Sequence, residues 1–296
     1  MNDKVDSIQK QLHANRNVNI LYPAASQSMV IDARFRDALL QTKADPASQR
    51  EISRLIDVTV RECVHNILRI NQYLNISEKH RERLAGIYYR TWDLLQSNDD
   101  IDTVLRTEHY PAIQAWVSEL YPQTLLKTLA HRQKIQGLAC SDYSAELQLN
   151  VLALDIENIH GPVLDIGCGV SAALVNYLHS STVEVYGFDR IVEEETPFIK
   201  EANWFDYDYS QRSWGTIISH MAFSNHYRYA IHHDPELQKK MESVFHRILL
   251  SLSPEGCLIL APGVQELESA VNNRFYRIEV SPVIDNFTLM KIWHRD

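Results

Sequence analysis

Apolar positions change their spacing partway along the chain, and the change divides it in two. In the first half they recur at three and four. Ile52, Leu55, Ile56, Val60, Cys63, Ile67 and Ile70 share one face of a long helix, and Leu84, Ile87, Tyr88, Thr91 and Leu95 one face of another. Ser77 is placed to cap the second. Pro111 opens a further helix through Trp116 and Leu120, and Pro122 breaks or restarts it. Residues 1–141 are expected to form an all-helical domain whose leucine and aromatic stripes are core.

From residue 142 onward short apolar runs alternate with helical stretches. A helix carrying Leu147, Val151, Leu154 and Ile159 leads into a strand over 162–166. A helix over Ser171 to Leu178, a strand over Thr182 to Phe188 ending at Asp189, and a short element near Ala202–Trp204 follow. Next come a strand over Thr216–Ser219 and a helix with Met241, Val244, Phe245, Ile248, Leu249 and Leu252 on one face. Pro254-Glu-Gly256 turns that helix into a strand over Cys257–Ala261. Such alternation predicts a parallel, doubly wound α/β sheet in a second domain, residues 142–296. Phe275–Val280 and Phe287–Trp293 lie too close in sequence for a parallel crossover, so they form an antiparallel hairpin.

Glycine follows the same division. Seven of the nine lie at or after Gly161, and Gly161, Gly167 and Gly169 crowd around Pro162-Val-Leu-Asp-Ile-Gly-Cys-Gly-Val170. That segment reads as a strand, an acid at its end, then a turn into a helix where backbone approaches a ligand. Ligands of open parallel sheets sit outside the carboxyl ends of the strands, where Asp165 and Asp189 both fall. Asp189 is placed for ribose hydroxyls. Asp165 would repel a pyrophosphate and hold a group bearing ammonium or hydroxyl donors. Gly167-x-Gly169-x-x-Ala172 also fits a relaxed dinucleotide fingerprint, so an NAD-type oxidoreductase stays as an alternative. Against it stand Asp165, the mid-chain position of the turn and the terminal hairpin.

Net charge is −9 and the isoelectric point about 5.8, which argues against a phosphate-backbone partner such as nucleic acid. Cys63, Cys140, Cys168 and Cys257 show no paired-ligand spacing and read as reduced thiols. The first nineteen residues lack an apolar signal core, and no apolar run is long enough to span a bilayer. The expectation is a cytoplasmic protein without membrane attachment.

Val163-Leu-Asp-Ile-Gly-Cys-Gly169 resembles the first motif of class I S-adenosylmethionine-dependent methyltransferases, over roughly residues 142–296. The resemblance implies a Rossmann-like, seven-stranded, mostly parallel sheet with an antiparallel last strand, and S-adenosyl-L-methionine as cofactor. It places Asp165, Gly167, Cys168 and Gly169 at the methionine part and Asp189 with Arg190 at the ribose. Asn203 and Trp204 fall at the adenine, with the Asn203 carbonyl toward the adenine amino group, and Ser219 near the cofactor. Ser171 stands where the family commonly has a third glycine, and is expected to cap the following helix.

Methyl transfer needs an aligned nucleophile more than elaborate acid–base machinery. In the resembled family the residues after the fourth strand face the acceptor. His220 and His226 are therefore the catalytic candidates, with Tyr227 and Tyr229 toward the substrate. The spacing of His220, His226, His232, His233 and Asp234 matches no metal pattern. No Asn-Pro-Pro-Tyr run of the amino-methylating nucleic-acid enzymes is present. A small molecule is the expected acceptor and a protein side chain the second choice. The helical domain is expected to cap the acceptor pocket or to make a homodimer contact. A non-catalytic cofactor-binding or interaction module is the rival from another class. Tyr143 and Gln148 are placed to fold over the cofactor.

Overall fold

The computed structural model describes residues 2–15, 18–44, 49–121, 143–284 and 287–295. The chain divides into two compact units, Met1–Ala139 and Cys140–Asp296.

In the first unit every named element is helical: Asn2–Ala14, Ala25–Ser28, Ala33–Ala44, Gln49–Ile70, Glu78–Ser97, Ile101–Val104 and Tyr110–Glu119. The Gln49–Ile70 helix packs against Asn2–Ala14 and Glu78–Ser97. It buries Ile52, Ile56, Val60 and Cys63, which share one face by their spacing. Ser77 caps Glu78–Ser97, and its own backbone N–H donates to His80 Nδ1 at 3.1 Å, a capping box with histidine in the acid's usual place. Between Val104 and Tyr110 the helix widens into a π turn, Leu105–His109. Pro111 sits in the first turn of the last helix, and the expected break at Pro122 lies outside the described residues.

The second unit carries a seven-stranded sheet in the order β3-β2-β1-β4-β5-β7-β6. Its strands are β1 Val163–Ile166, β2 Val185–Asp189, β3 Ile199–Glu201, β4 Trp214–His220, β5 Leu252–Ala261, β6 Tyr276–Ile284 and β7 Phe287–His294. Strands β1 to β5 pair in parallel, whereas β7 runs antiparallel to both β5 and β6. The terminal hairpin is thus inserted so that its second strand, not its first, meets β5.

Both faces of the sheet are covered. On one, Leu164, Ile166 and Ile217 pack with Phe223, Met241 and Phe245 of the helices Phe223–His233 and Pro235–Leu250. On the other, Val163 and Ile218 pack with Leu152 and with Leu174, Val175 and Leu178 of the helix Ala173–Ser180. Alternation along β1 sends Asp165 to the face of Val163. Gly187, central in β2, lets that helix seat closely. A methyl group there would overlap the Val175 side chain and press on Cys168 at 3.3 Å.

Several boundaries differ from the sequence reading. The helix before β1 spans only Ala145–Val151, because Ala153 takes a positive φ of 47° and ends it. Leu154 and Ile159 still pack on the core from irregular backbone, while Leu147 is exposed. The element expected near Ala202–Trp204 is a strand slightly earlier, β3. Pro254-Glu-Gly256 lies inside β5, where the β4–β5 register shifts between Trp214 and Thr216.

Gly187→Ala is expected to destabilise the second unit by about 1–3 kcal/mol through overpacking. Calorimetry of the full chain would show its transition lowered by several degrees and that of the helical unit unmoved; an unchanged upper and lower transition would refute the close seating.

Candidate functional site

The carboxyl ends of β1, β2 and β4 bring the acidic pair and the glycine turn together. Gly167 and Gly169 both adopt left-handed backbone, with φ of 77° and 79°. A side chain at Gly167 would also overlap the Ala222 methyl. The turn is tied to β2 by Gly167 and Cys168 N–H groups that both donate to Phe188 O, at 2.9 and 3.1 Å. Asp189 then closes the arrangement. Its Oδ2 accepts the Gly169 N–H at 3.0 Å, and its Oδ1 accepts the Ile191 N–H at 3.2 Å. Each oxygen keeps a second lone pair.

Asp165 is 1% exposed, and its Oδ2 is buried without a hydrogen-bond partner. Burial, with the negative charge of Asp189 adding to it, pushes its carboxyl up to about 8. Asp189 is also raised by burial, against which the Arg190 charge and the backbone N–H groups pull it down. Two carboxyls buried this close do not both ionise easily. At neutral pH Asp165 is therefore a protonated acid in want of a cationic partner.

Ser219 is spent on scaffolding: its hydroxyl donates to Ile166 O at 2.8 Å and accepts the Phe223 N–H at 3.1 Å. It fastens the end of β1 to the start of the Phe223–His233 helix. Cys168 sends its thiol into the core, where burial holds its pKa far above the usual range; only its backbone belongs to the turn. Ser171 is not the expected cap. The cap position falls to Ala172, itself left-handed at φ 47°, without a side-chain hydrogen bond.

The aromatic corner lies at the end of β4 and after β3. Asn203 forms an Asx turn, its Oδ1 accepting the Phe205 N–H at 3.1 Å. That bond takes one of the two lone pairs of the carbonyl oxygen, so the expected contact to an amino group stays open to the second. Trp204, 5% exposed, meets the His226 ring edge-on at 4.5 Å, and Arg190 lies 5.6 Å over the indole. His226 Nδ1 donates to Ala222 O at 2.9 Å, so its Nε2 accepts from Arg190 Nη2 at 3.1 Å. Both ring nitrogens are engaged, which makes His226 a support for Arg190 and leaves no lone pair for a proton.

His220 ends β4, 9% exposed, with Nδ1 buried and unpartnered and Tyr143 edge-on at 4.8 Å. Burial lowers its pKa to about 4, so the ring is neutral. Gln148 donates to Tyr143 O at 3.0 Å, steadying that segment. Tyr227 departs from the sequence reading. It lies one turn beyond Phe223 on the core face, 2% exposed, its hydroxyl donating to Glu242 at 3.0 Å. Tyr229 packs against His233, 4.7 Å between centroids. Among the described residues no three potential ligands converge on a metal position, and no helix is long and apolar enough to cross a membrane. Sequence reasoning missed the Arg190–His226 pair and the Tyr143–His220 contact, which join residues 36 and 77 positions apart.

The strand order, with an antiparallel seventh strand inserted beside the fifth, and the glycine turn after β1 agree with the Rossmann-like, seven-stranded sheet that the resemblance to class I S-adenosylmethionine-dependent methyltransferases implies. No family model and no curated protein matches the chain. Among solved structures it is similar to an S-adenosylmethionine-dependent methyltransferase from Bacteroides fragilis in complex with S-adenosyl-L-homocysteine. Identity is 14%, coverage 49% of this chain and 76% of that one, and the TM-score 0.38. A TehB-like S-adenosylmethionine-dependent methyltransferase from Corynebacterium glutamicum is 14% identical, over 53% of this chain and 90% of that one, with a TM-score of 0.36. The strand order and turn of this chain, rather than those superpositions, define its fold.

Asp165 prefers its proton when folded, with a pKa of about 8, and gives it up near 3.8 when unfolded. The native state therefore loses stability as pH rises from about 4 to 8, by at most ~6 kcal/mol at 1.36 kcal/mol per unit. Asp165→Asn removes that loss. Its melting temperature should exceed that of the parent by a margin that widens from pH 5 to pH 8; a margin equal at both would contradict the buried-acid assignment.

Proposed function

We propose that the protein is an S-adenosyl-L-methionine-dependent methyltransferase with a small-molecule acceptor. The observation that carries this reading is Asp165, a buried carboxyl with an unmet oxygen beside a turn of left-handed glycines and a second acid one strand away. Leaving a buried polar group unpaired costs about 1–3 kcal/mol, and a ligand ammonium removes that cost while drawing the proton off the acid. A pyrophosphate would aggravate it.

The residues fit this cofactor one by one. Asp165 meets the ammonium of the methionine part, and the backbone of Gly167, Cys168 and Gly169 lies alongside it. Asp189 accepts the ribose hydroxyls through the lone pairs that Gly169 and Ile191 leave over. Arg190 is pinned by His226 and Trp204 rather than free to swing, and shapes the ribose side. Asn203 offers the second lone pair of its carbonyl to the adenine amino group, with Trp204 as a wall. When bound, S-adenosyl-L-methionine supplies an electrophilic methyl group on a sulfonium.

The protein's share of the chemistry is then placement. His220 stays neutral across the physiological range and can accept a hydrogen bond from an acceptor hydroxyl or amine, orienting its lone pair. With a pKa of about 4 it is a weak base, which suits an acceptor whose proton leaves to water after transfer. That low basicity, with His226 occupied, is also what favours a second reading: a cofactor-binding module without turnover. Tyr227 has no place in either.

Millimolar S-adenosylhomocysteine should raise the melting temperature of the second unit by several degrees, and Asp189→Ala should weaken its binding at least tenfold, one charge-assisted hydrogen bond being worth about 1.5–3 kcal/mol. No shift with it, alongside stabilisation by NAD, would replace this reading with an oxidoreductase. Methyl-labelled cofactor incubated with fractionated extract should yield a labelled small molecule; binding without any labelled product in any fraction would favour the non-catalytic module.

A further inference from the structure

The helical unit holds a pocket of about 120 Å³ between the helices Asn2–Ala14, Ala33–Ala44, Gln49–Ile70 and Glu78–Ser97 and the π turn Leu105–His109. An apolar cavity of about 150 Å³ accommodates a benzene ring. The walls here are largely apolar, with Phe35, Ile56, Trp92 and Leu105 among them.

The polar groups in the wall have an unusual common property. Ser7, Thr42, Thr59 and Thr91 each donate their hydroxyl hydrogen to a carbonyl of their own helix, at 2.7, 2.7, 2.7 and 2.8 Å. They therefore turn only lone pairs toward anything else. The Thr91 case fixes a second group. Its oxygen lies 2.8 Å from Ile87 O and 2.9 Å from His109 Nδ1. Two bare oxygens at 2.8 Å would repel, so the Thr91 hydrogen must lie between them. His109 Nδ1 must then be the donor to Thr91. The opposite ring nitrogen, Nε2, carries a lone pair and has no protein partner among the described residues.

His109 is 9% exposed and lines the pocket. Burial lowers its pKa to about 4, which keeps that lone pair unprotonated at neutral pH. The π turn brings it there, since Leu105 and His109, the two ends of the turn, both face the pocket. Such turns recur where a helix is deformed for function. The one cation at the rim, Lys4, is held by Glu51 at 2.8 Å. Beyond it, the wall's other donor-bearing side chains are the indole of Trp92 and the hydroxyl of Tyr88, which is engaged with Cys63. Tyr88 and His109 form an aromatic pair at 5.2 Å suited to a ring.

We propose that this pocket is a binding site for a single-ring aromatic molecule bearing one hydrogen-bond donor, a phenol-like ligand whose hydroxyl meets His109 Nε2. An anion would meet the lone pairs of Ser7, Thr42, Thr59, Thr91 and His109 and a cation already paired, and is disfavoured. The site uses none of the residues around Asp165 and is independent of the methyltransferase reading.

The test is calorimetric titration of the full chain with phenol, anisole and benzoate. Phenol should bind saturably, about tenfold tighter than anisole, which has the ring without the donor; benzoate should not bind. His109→Leu should bring phenol down to the affinity of anisole. Ala38→Phe, which fills the pocket from a partly exposed wall, should abolish both. Equal affinity of phenol and anisole for the parent protein would overturn the proposal even if His109→Leu failed to fold, as would absence of saturable phenol binding or phenol binding unchanged in Ala38→Phe.

Discussion

A carboxyl group that the fold has taken out of water, and for one oxygen of which it provides no partner, is the constraint on which the second unit's site depends. Asp165 stands at the end of a strand whose other three residues are fully buried apolar side chains. The strand cannot tilt it outward without exposing Leu164 and Ile166 on the opposite face. It stays, largely protonated, with one oxygen unpartnered among the described residues, at a cost to stability. Such a cost is intelligible where a ligand removes it.

The surrounding bonds all act to keep that position fixed. Ser219 joins β1 to the helix after β4. Gly167 lets Ala222 of the same region come into contact with the turn. Asp189 holds the turn from the β2 side through Gly169, and β2 holds it again through Phe188 O. The two acids are thus linked by charge and by the glycines between them. Rigidity on three strands is what an electrostatic site needs, because displacement by a fraction of an ångström would admit water to Asp165.

Much of this was legible in the chain before any coordinates. Alternating runs gave away β1, β2, β4 and β5, and the six-residue gap near the end required an antiparallel hairpin. Asp165, Gly167, Gly169 and Asp189 were recognisable because their chemistry is carried by residue type at fixed offsets. What was not legible was side-chain direction and pairing across distance. Tyr227 and His226 are neighbours in sequence, and only the phase set by Phe223 and Ala230 sends the tyrosine inward. The histidine's partner, Arg190, is reached through two strands. Ser171 looked like a cap by type, yet the left-handed residue is Ala172, a backbone property with no signature in an alanine. In the helical unit Thr59, Thr91 and His109 were indistinguishable from polar interruptions of a core stripe; their role depends on where each hydroxyl hydrogen goes.

The central claim, that a protonated Asp165 gives up its proton to receive a cationic group, is most directly tested by titrating S-adenosylhomocysteine at pH 7 in buffers of different ionisation enthalpy. The slope of the observed heat against buffer enthalpy should correspond to release of about one proton per ligand bound, and that release should disappear in Asp165→Asn. Binding with no proton exchanged, or with a proton taken up, would contradict the account.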